Sequence, residues 1–309
     1  MSKRVVLLGQ PVTHSLSEAL QQAAFAAADI DATYEPIDTP TVDLAEAVKA
    51  LRSEDYLGAN IGVPHKDRVL PMLDRLTEEA QATGAVDTIT RDGDQLVGHN
   101  TDVIAFKPAL EELVGNAKMP KNAVVVGAGG GGRAVIYCLI QAGFQNVALF
   151  NRHLHRGERL VKHFGRSASH MDLKARPWHE SVIEAELAKT DVLVNASAMG
   201  RDPEETPIPG ELLPPDILVM DLHYVPEQTR LLREAEAAGA TRAMNGDFML
   251  VEQTVAAFEL WTGEKAPRSV IEKTLKKARN KPEEPVPSAE EVASGEAGED
   301  SGDAGEASA

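Results

Sequence analysis

A glycine-rich turn between an apolar run and a helical stretch constrains the fold of this chain more than any other feature. The β-branched run at residues 123–126 leads directly into the spacing Gly-x-Gly-x-x-Gly, and an apolar-periodic stretch follows and ends at Gly143. A strand, this turn and a helix in that order are typical of dinucleotide-binding α/β folds, in which the helix N-terminus receives the phosphates. A purely structural turn is the alternative. The candidate cofactor-binding residues of the turn are Gly127, Ala128, Gly129, Gly130, Gly131 and Gly132.

The rest of the chain repeats the alternation of short β-branched runs with helical stretches. Strands that alternate with helices predict parallel sheets, and the predicted fold class is therefore α/β. A helical stretch at residues 103–114, followed by the polar segment 115–120, predicts a boundary between two units. The other predicted strands and helices lie at residues 5–8, 16–28, 33–37, 44–51, 135–141, 147–150, 192–195 and 218–222.

The charge balance and the cysteine usage narrow the class of protein. The 309 residues include 31 basic and 48 acidic ones, a formal net charge of −17, which opposes binding to nucleic acid or to an anionic membrane surface. The single cysteine, Cys138, cannot form an internal disulfide, which favours a cytoplasmic location, and no metal site is predicted. Nearly half of the net charge belongs to residues 281–309, which we predict to be a disordered acidic tail.

The strand after the glycine turn ends in residues that favour one nicotinamide cofactor over the other. A site for NAD normally has an acidic residue there, whereas this strand ends in Asn151 and Arg152, with Arg156 one turn later. A guanidinium offers a planar fork and a permanent charge to a 2′-phosphate, so NADP(H) is the predicted cofactor. Alternatively, both arginines are solvated residues at a helix start. Ser197 and Met199, after a later strand, are candidate cofactor contacts or part of a plain turn.

Several polar motifs outside the glycine turn contain residues that a hydrophobic core would not require. In chain order they are His14-Ser-Leu-Ser17, Asn60-Ile-Gly-Val-Pro-His-Lys66, Gly98-His-Asn-Thr-Asp102, Asp221-Leu-His-Tyr-Val-Pro-Glu-Gln-Thr-Arg-Leu-Leu232 and Gly246-Asp-Phe-Met-Leu-Val-Glu-Gln253. Together with the glycine turn and the closing Trp261-Thr-Gly263, they resemble the shikimate dehydrogenase family over about residues 5–275. Agreement of several spaced motifs is more specific than any one of them.

The resemblance implies a domain organisation and an activity. It implies an N-terminal α/β substrate-binding domain at residues 1–103, a Rossmann-type NADP-binding domain at 104–239, and C-terminal helices within 240–280 that return to the first domain. The family reaction is reversible hydride transfer between NADPH and the carbonyl of 3-dehydroshikimate, which gives shikimate on the route to chorismate and the aromatic amino acids. The implied partner is a small cyclic hydroxy-carboxylate, and the protein is expected to be a monomer or a homodimer.

The resemblance also assigns roles to individual residues. Lys66 and Asp102 match the catalytic pair. Two serines match the ligands of the substrate carboxylate, and three further residues match ligands of its ring hydroxyls; these are Ser15 and Ser17, and Asn60, Tyr224 and Gln253. The last motif adds two candidate cofactor contacts, Gly246 and Met249.

The chemistry of the catalytic pair follows from the residue types themselves. Reduction of a ketone needs a hydride donor on one face and a proton donor to the developing alkoxide, and the ammonium of Lys66 supplies the proton and stabilises the negative oxygen. Asp102 can orient Lys66 and favour its charged form, while burial opposes that form. The alternative is a surface lysine and an aspartate that caps the helix predicted at 103–114.

Four positions depart from the family pattern. Glu18 and Gln22 replace a proline and an asparagine in the first helix, where they alter packing. Gly62 replaces a threonine that contacts substrate, and Asp87 replaces an asparagine that bonds a ring hydroxyl, so both remain candidate substrate-binding positions. An ionised Asp87 would join Asp102 around Lys66 and make the pocket more acidic, because a carboxylate has no donors and adds a charge.

These departures leave several interpretations of the function open. One is a paralogue that acts on quinate, aminoshikimate or a related cyclic hydroxy acid, with a different hydroxyl pattern or an amino group opposite Asp87. A milder one is that shikimate still binds and its hydroxyl donates to Asp87. A third, from a different class, is a nucleotide or metabolite sensor that retains the fold without turnover.

Overall fold

The chain folds into two six-stranded sheets, one from residues 3–99 and one from residues 122–244. The computed structural model describes residues 2–12 and 15–279. His14 of the first polar motif and the predicted acidic tail at 281–309 lie outside these residues. None of the helices in the described ranges has the length and apolar character that crossing a membrane requires.

The first sheet is mixed, although the alternating pattern predicted parallel strands. Its elements are the strands β1 (Lys3–Gly9), β2 (Ala32–Asp38), β3 (Tyr56–Ile61), β4 (Arg75–Leu76), β5 (Thr88–Asp92) and β6 (Gln95–His99), and the helices α1 (Ser17–Ala27), α2 (Leu44–Ala50) and α3 (Glu78–Thr83). The strands pair in the order β2-β1-β3-β5-β6-β4. Strands β3, β5 and β6 pair antiparallel, and β5 and β6 are joined by a tight turn at Gly93, whose φ is 66°. The prediction of parallel sheets is wrong for this half, because strands joined by so short a turn pair antiparallel.

The second sheet is parallel throughout, as the alternating pattern predicted. Its elements are the strands β7 (Asn122–Val126), β8 (Asn146–Phe150), β9 (Asp172–Arg176), β10 (Val192–Asn195), β11 (Leu218–Asp221) and β12 (Arg242–Met244), and the helices α4 (Thr101–Val114), α5 (Gly130–Gln141), α6 (Leu154–Phe164), α7 (Glu180–Leu187) and α8 (Arg230–Ala237). The strand order is β12-β11-β10-β7-β8-β9. The order reverses between β7 and β10, and the glycine turn follows β7. Ligands of open parallel sheets bind at such a switch point, outside the carboxyl ends of the strands.

The last two helices return to the first sheet. They are α9 (Asp247–Thr262) and α10 (Arg268–Arg279). Phe258 packs on Phe25 of α1 with ring centroids 5.5 Å apart, and the indole Nε1 of Trp261 donates to the carbonyl of Ile89 at 3.0 Å. The return begins at α9 and not at residue 240, because β12 pairs with β11 in the second sheet. The boundary predicted between residues 239 and 240 is therefore wrong by several residues.

Close backbone contacts explain two glycines of the turn. Gly127 has a φ of 109°, which disfavours other residues, and a Cβ built there would lie 2.5 Å from the carbonyl oxygen of Ala196. A Cβ on Gly132 would lie 2.0 Å from the carbonyl oxygen of Gly127, so α5 packs directly on the end of β7. In the described part of the chain, a Cβ on Gly129 would meet nothing within 4 Å. Gly129 therefore leaves open space at the N-terminus of α5.

The returning helix predicts a large cost for truncation at its buried face. Phe258→Ala is expected to lower the free energy of unfolding by about 3–5 kcal/mol, because it removes a fully buried ring from the core shared with α1. Val42→Ala is the control, since Val42 is apolar but 87% exposed and should change stability by less than about 0.5 kcal/mol. Urea unfolding followed by circular dichroism measures both values. Equal losses in the two variants would contradict the packing of α9 on the first unit.

The glycine turn predicts opposite outcomes for two alanine substitutions. Gly132→Ala is expected to lower the free energy of unfolding by about 2 kcal/mol or more, because the added methyl group collides with backbone. Gly129→Ala is the matched control and should cost less than about 0.5 kcal/mol, since its methyl group enters open space. A stable Gly132→Ala protein would show that α5 does not lie as close to β7 as described.

Candidate active site

Lys66 and Asp102 meet in the cleft between the two units. Lys66 follows β3 of the first sheet, and Asp102 lies in the first turn of α4. Lys66 Nζ lies 2.5 Å from Asp102 Oδ2, and the side chains are 20% and 4% exposed, respectively. A Cβ on Gly130 would lie 2.5 Å from Lys66 Cδ, so the lysine stem passes directly over the glycine turn. The candidate catalytic pair therefore adjoins the candidate cofactor turn.

The N-cap of α4 is Asn100 and not Asp102. Asn100 has an extended backbone, and its side-chain oxygen accepts from the backbone N–H of Val103 at 3.0 Å. Asp102 is already a helical residue, and its carboxylate points to Lys66 instead of to the helix backbone. The alternative interpretation of Asp102 as a capping residue is therefore wrong, and that of Lys66 as a surface lysine does not fit a side chain that is largely buried.

Burial and neighbouring charges act in opposite directions on this pair. Burial lowers the pKa of Lys66, but the charges of Asp102 and Asp87 and the hydrogen bond to Asp102 outweigh it, so this pKa lies above its ordinary value. Burial raises the pKa of Asp102, the Lys66 charge lowers it, and the Asp87 charge raises it, with a net increase. The ammonium is thus the stable form of Lys66 at neutral pH, and it is the form that a proton donor requires.

Asp87 is buried beside this pair but does not bond to Lys66. Its Oδ1 accepts from the backbone N–H and the hydroxyl of Thr101, at 2.8 and 2.6 Å, and from the hydroxyl of Thr88 at 2.9 Å. Its Oδ2 accepts from the backbone N–H of Asp102 at 2.8 Å. The carboxylate therefore lies on the N-terminus of α4, where two otherwise unpaired N–H groups and the helix dipole favour a negative charge.

Asn60 is linked to a tyrosine that the sequence motifs do not include. The hydroxyl of Tyr34 donates to Asn60 Oδ1 at 2.8 Å, and Asn60 Nδ2 donates to the carbonyl of Asp87 at 3.1 Å and to Thr88 Oγ1 at 3.0 Å. These bonds fix the orientation of the amide. Tyr34 lies in a strand whose alternation predicts a core position, and nothing in its neighbourhood along the chain indicates a polar role. The structure also shows Gln22 Oε1 accepting from the backbone N–H of Tyr34 at 2.8 Å.

The two serines each face a tyrosine hydroxyl. Burial raises the pKa of Tyr224 and Tyr34, while the neighbouring Ser15 and Ser17, respectively, lower it. The backbone N–H of Ser17 also donates to Ser15 Oγ at 3.2 Å. The first polar motif and the motif around Tyr224, far apart in sequence, are thereby brought together.

The remaining predicted substrate positions differ in what surrounds them. Gln253 is half-buried on α9, the helix that packs back on the first sheet. A Cβ on Gly62 would lie 3.6 Å from Leu8 O and from Gly9 Cα, which is ordinary contact distance. Position 62 therefore has room for a side chain, and the glycine there is not required by the backbone.

Three loops form the predicted cofactor side of the site. Asn151 Oδ1 accepts from the backbone N–H of Ala128 at 3.2 Å, which ties the end of β8 to the glycine turn. Arg152 and Arg156 are exposed at the start of α6. After β10, the buried side chain of Asn195 bonds Ser197 Oγ at 2.7 Å and the carbonyl of Met199 at 2.8 Å, so it shapes this loop.

A buried aspartate, Asp221, supports the loops that follow β10 and β11 on the predicted cofactor side of the site. Asp221 accepts from Asn195 at 3.0 Å, from Thr229 at 2.8 Å and from the backbone N–H of His223 at 3.1 Å. The backbone N–H of Gly246 donates to the carbonyl of His223 at 2.8 Å. Met249 is buried in the core of the second unit. Asn195 ends a predicted strand and Thr229 lies in the motif that begins at Asp221, but no role in the site was predicted for either residue.

Two side chains of the second unit bond the end of α3 in the first. Arg133 Nη1 donates to the carbonyl of Thr83 at 3.0 Å, and His163 Nε2 lies 2.8 Å from the carbonyl of Ala82. A Cβ on Gly84 would lie 3.0–3.1 Å from both side chains. Carbonyls at a helix end lack partners within the helix, so these contacts satisfy them across the cleft. In the described ranges, no group of three histidine, cysteine or acidic side chains is arranged to hold a metal ion.

Three family models match successive parts of the chain. The shikimate dehydrogenase substrate binding domain matches residues 7–89, the shikimate / quinate 5-dehydrogenase model matches residues 110–202, and the shikimate 5′-dehydrogenase C-terminal domain matches residues 249–276. The three models follow the order of the first sheet, the second sheet and the returning helices.

Known proteins are similar to this chain over most of its length. The shikimate dehydrogenase (NADP(+)) of Desulforamulus reducens is 39% identical over 274 residues, which are 88% of this chain and 94% of that protein. The crystal structure of shikimate 5-dehydrogenase from Thermus thermophilus in complex with NADP(H) and shikimate has a TM-score of 0.77 and 37% identity, and covers 89% of this chain and 99% of its own. Quinate dehydrogenase from Corynebacterium glutamicum in complex with NAD has a TM-score of 0.79 and 32% identity, covering 89% and 99%. The chain therefore belongs to the shikimate dehydrogenase family.

Proposed function

We propose that this protein is an NADP(H)-dependent oxidoreductase that interconverts 3-dehydroshikimate and shikimate. The observation that carries the proposal is the buried ion pair of Lys66 and Asp102, 2.5 Å apart and packed against the glycine turn. A reducible carbonyl held at Lys66 Nζ would lie next to the turn at which a dinucleotide binds. The similarity to proteins named shikimate dehydrogenase (NADP(+)) supports this substrate and this cofactor.

Lys66 supplies the acid and base chemistry of the proposed reaction. In the reducing direction Nζ donates a proton to the oxygen on which negative charge develops, and in the oxidising direction the neutral amine accepts the proton of the hydroxyl. Asp102 accepts a hydrogen bond from Nζ and holds it in place. The lysine stem passes over Gly130, so the proton donor lies next to the turn at which the cofactor would bind.

The residues around the glycine turn fit an NADP cofactor. The open space at Gly129 allows a pyrophosphate to approach the N-terminus of α5, and the exposed Arg152 and Arg156 suit a 2′-phosphate. Asn151 and the loop around Ser197 and Met199 would line the rest of the groove. When bound, the cofactor supplies the hydride for reduction or accepts it in oxidation.

We assign substrate binding to the first unit. Ser15 and Ser17 would bind the substrate carboxylate, and Asn60, Tyr224 and Gln253 would bind its ring hydroxyls. The substrate unit comprises residues 1–103 with α9 and α10, and the cofactor unit runs from residue 104 to the end of β12. We further propose that the enzyme acts in the cytoplasm as a monomer or a homodimer, in the synthesis of chorismate and the aromatic amino acids.

The proposed reaction predicts which alcohols the protein oxidises. Purified protein is expected to reduce NADP⁺ with shikimate faster than with quinate or aminoshikimate, as measured by NADPH absorbance. Lys66→Met should lower kcat by about 10²–10⁴-fold, because it removes the proton donor and acceptor. Lys49→Met is the control, since Lys49 is an exposed lysine on α2, and it should keep full activity. Faster turnover of another alcohol would favour the paralogue, and bound NADPH without any turnover would favour the sensor.

The choice of cofactor rests on Arg152 and Arg156, around the start of α6. Arg152→Ala is expected to raise the KM for NADPH by about 10–100-fold and to leave the KM for NADH unchanged, because only NADPH carries the 2′-phosphate. Arg166→Ala, which removes an exposed arginine after α6, is the control and should leave both constants unchanged. An unchanged KM for NADPH in Arg152→Ala would refute the assignment of this residue.

A further inference from the structure

We infer that Asp87 is a positioning residue of this active site: its carboxylate holds the first turn of α4 and thereby aims Asp102 at Lys66. The inference deepens the proposed function and rests on it, because the pair that Asp87 positions is the proposed catalytic pair. It differs from the role that the family resemblance implied, in which position 87 binds a substrate hydroxyl.

Two residues together cap the start of α4. The backbone N–H groups of Thr101 and Asp102 donate to the two oxygens of Asp87, each at 2.8 Å, and the N–H of Val103 donates to Asn100 Oδ1 at 3.0 Å. The first three N–H groups of a helix have no partners within it. Because Asp87 takes two of them, the backbone of Asp102 is held at the carboxylate, and its side chain leaves the helix toward Lys66.

This arrangement needs a carboxylate and not an amide. An asparagine at position 87 has one acceptor oxygen, and its NH₂ group would face one of the two backbone N–H groups. The four hydrogen bonds to Asp87 come from Thr101, Thr88 and Asp102, all buried, and Asp87 itself is 4% exposed. A buried carboxylate with four donors is a satisfied group, so it does not require a cationic or amino substituent on the substrate to balance it.

Asp87 also connects the substrate side of the pocket to the catalytic pair. Asn60 Nδ2 donates to Thr88 Oγ1 at 3.0 Å, and Thr88 Oγ1 donates to Asp87 Oδ1 at 2.9 Å. The chain of bonds from Asn60 through Thr88 and Asp87 ends at the backbone of Asp102. Asp87 therefore acts on the reaction through other residues.

The charge of Asp87 gives this role a signature in the pH dependence. The groups that act on Lys66 are Asp102, Asp87 and Tyr224; burial lowers the pKa of Lys66, and each of these three raises it. Loss of the Asp87 charge removes one of the raising contributions, so the pKa of Lys66 falls. Oxidation of an alcohol needs the neutral amine, and its rate rises as pH passes this pKa. The rising limb of the pH–rate profile for alcohol oxidation must therefore move to lower pH when Asp87 becomes neutral.

The kinetic test compares a neutral variant with a variant that keeps the charge. Asp87→Asn is expected to lower kcat for shikimate oxidation about tenfold, to leave the KM for shikimate within about twofold, and to move the rising limb of kcat/KM down by about one pH unit. Thr101→Val removes one hydrogen bond to Asp87 but keeps the charge, and should leave the limb where it is. A raised KM with an unmoved limb in Asp87→Asn would overturn the inference and restore the role of substrate ligand.

A second neutral variant and a direct titration make the test independent of turnover. Asp87→Ser leaves space for a water molecule and should move the limb in the same direction, which covers the case that Asp87→Asn does not fold. Lysine labelled with ¹³C at Cε, with the Lys66 signal assigned by its loss in Lys66→Met, reports the pKa of Lys66 by NMR without substrate. A pKa that stays unchanged in the folded neutral variants would refute the inference. Absence of shikimate oxidation by the wild type would instead refute the proposed function and leave this titration decisive.

Discussion

The structure depends on how a buried carboxylate is satisfied at the start of one helix. Asp87 lies out of water next to a second buried carboxylate, Asp102, which would be unfavourable without donors. The first turn of α4 supplies those donors. The same helix packs against α5 of the second unit and α9 of the returning segment. The helix that satisfies Asp87 therefore also connects the two units, and the proposed catalytic pair lies at its N-terminus.

Glycine permits the close approaches on which the cleft depends. Gly130 lets the stem of Lys66 cross the glycine turn, and Gly84 admits Arg133 and His163 to the end of α3. At Gly58 of β3, a Cβ would lie 2.6 Å from the indole nitrogen of Trp261. Each of these positions lies where two segments that are far apart in the sequence come into contact. A side chain at any of them would hold the segments further apart, although none of the three is itself a chemical group of the reaction.

Sequence reasoning recovered what is encoded locally and failed where distant segments meet. The glycine turn and the parallel sheet after residue 120 were predicted from spacing and residue type, whereas the pairing of Lys66 with Asp102 was implied only by the family resemblance. The mixed first sheet was missed although Gly93 signals a hairpin. Tyr34 was also missed, because its hydroxyl reaches Asn60 only when β2 and β3 have both paired with β1. Asp87 was recognised as unusual, but its bonds to α4 depend on where the helix begins in space, which no spacing reveals.

The return of α9 to the first sheet has a consequence for the order of events during synthesis. Phe25 and Phe258 share one core, and Ile89 bonds Trp261, so the first unit lacks part of its interior until the ribosome has made nearly the whole described chain. The second unit lies between these partners and uses mainly contacts within its own stretch, which form sooner because they close shorter loops. The second unit can therefore complete its core first. Apolar surface of the first unit stays exposed until α9, which is encoded near the opposite end of the chain, has been made.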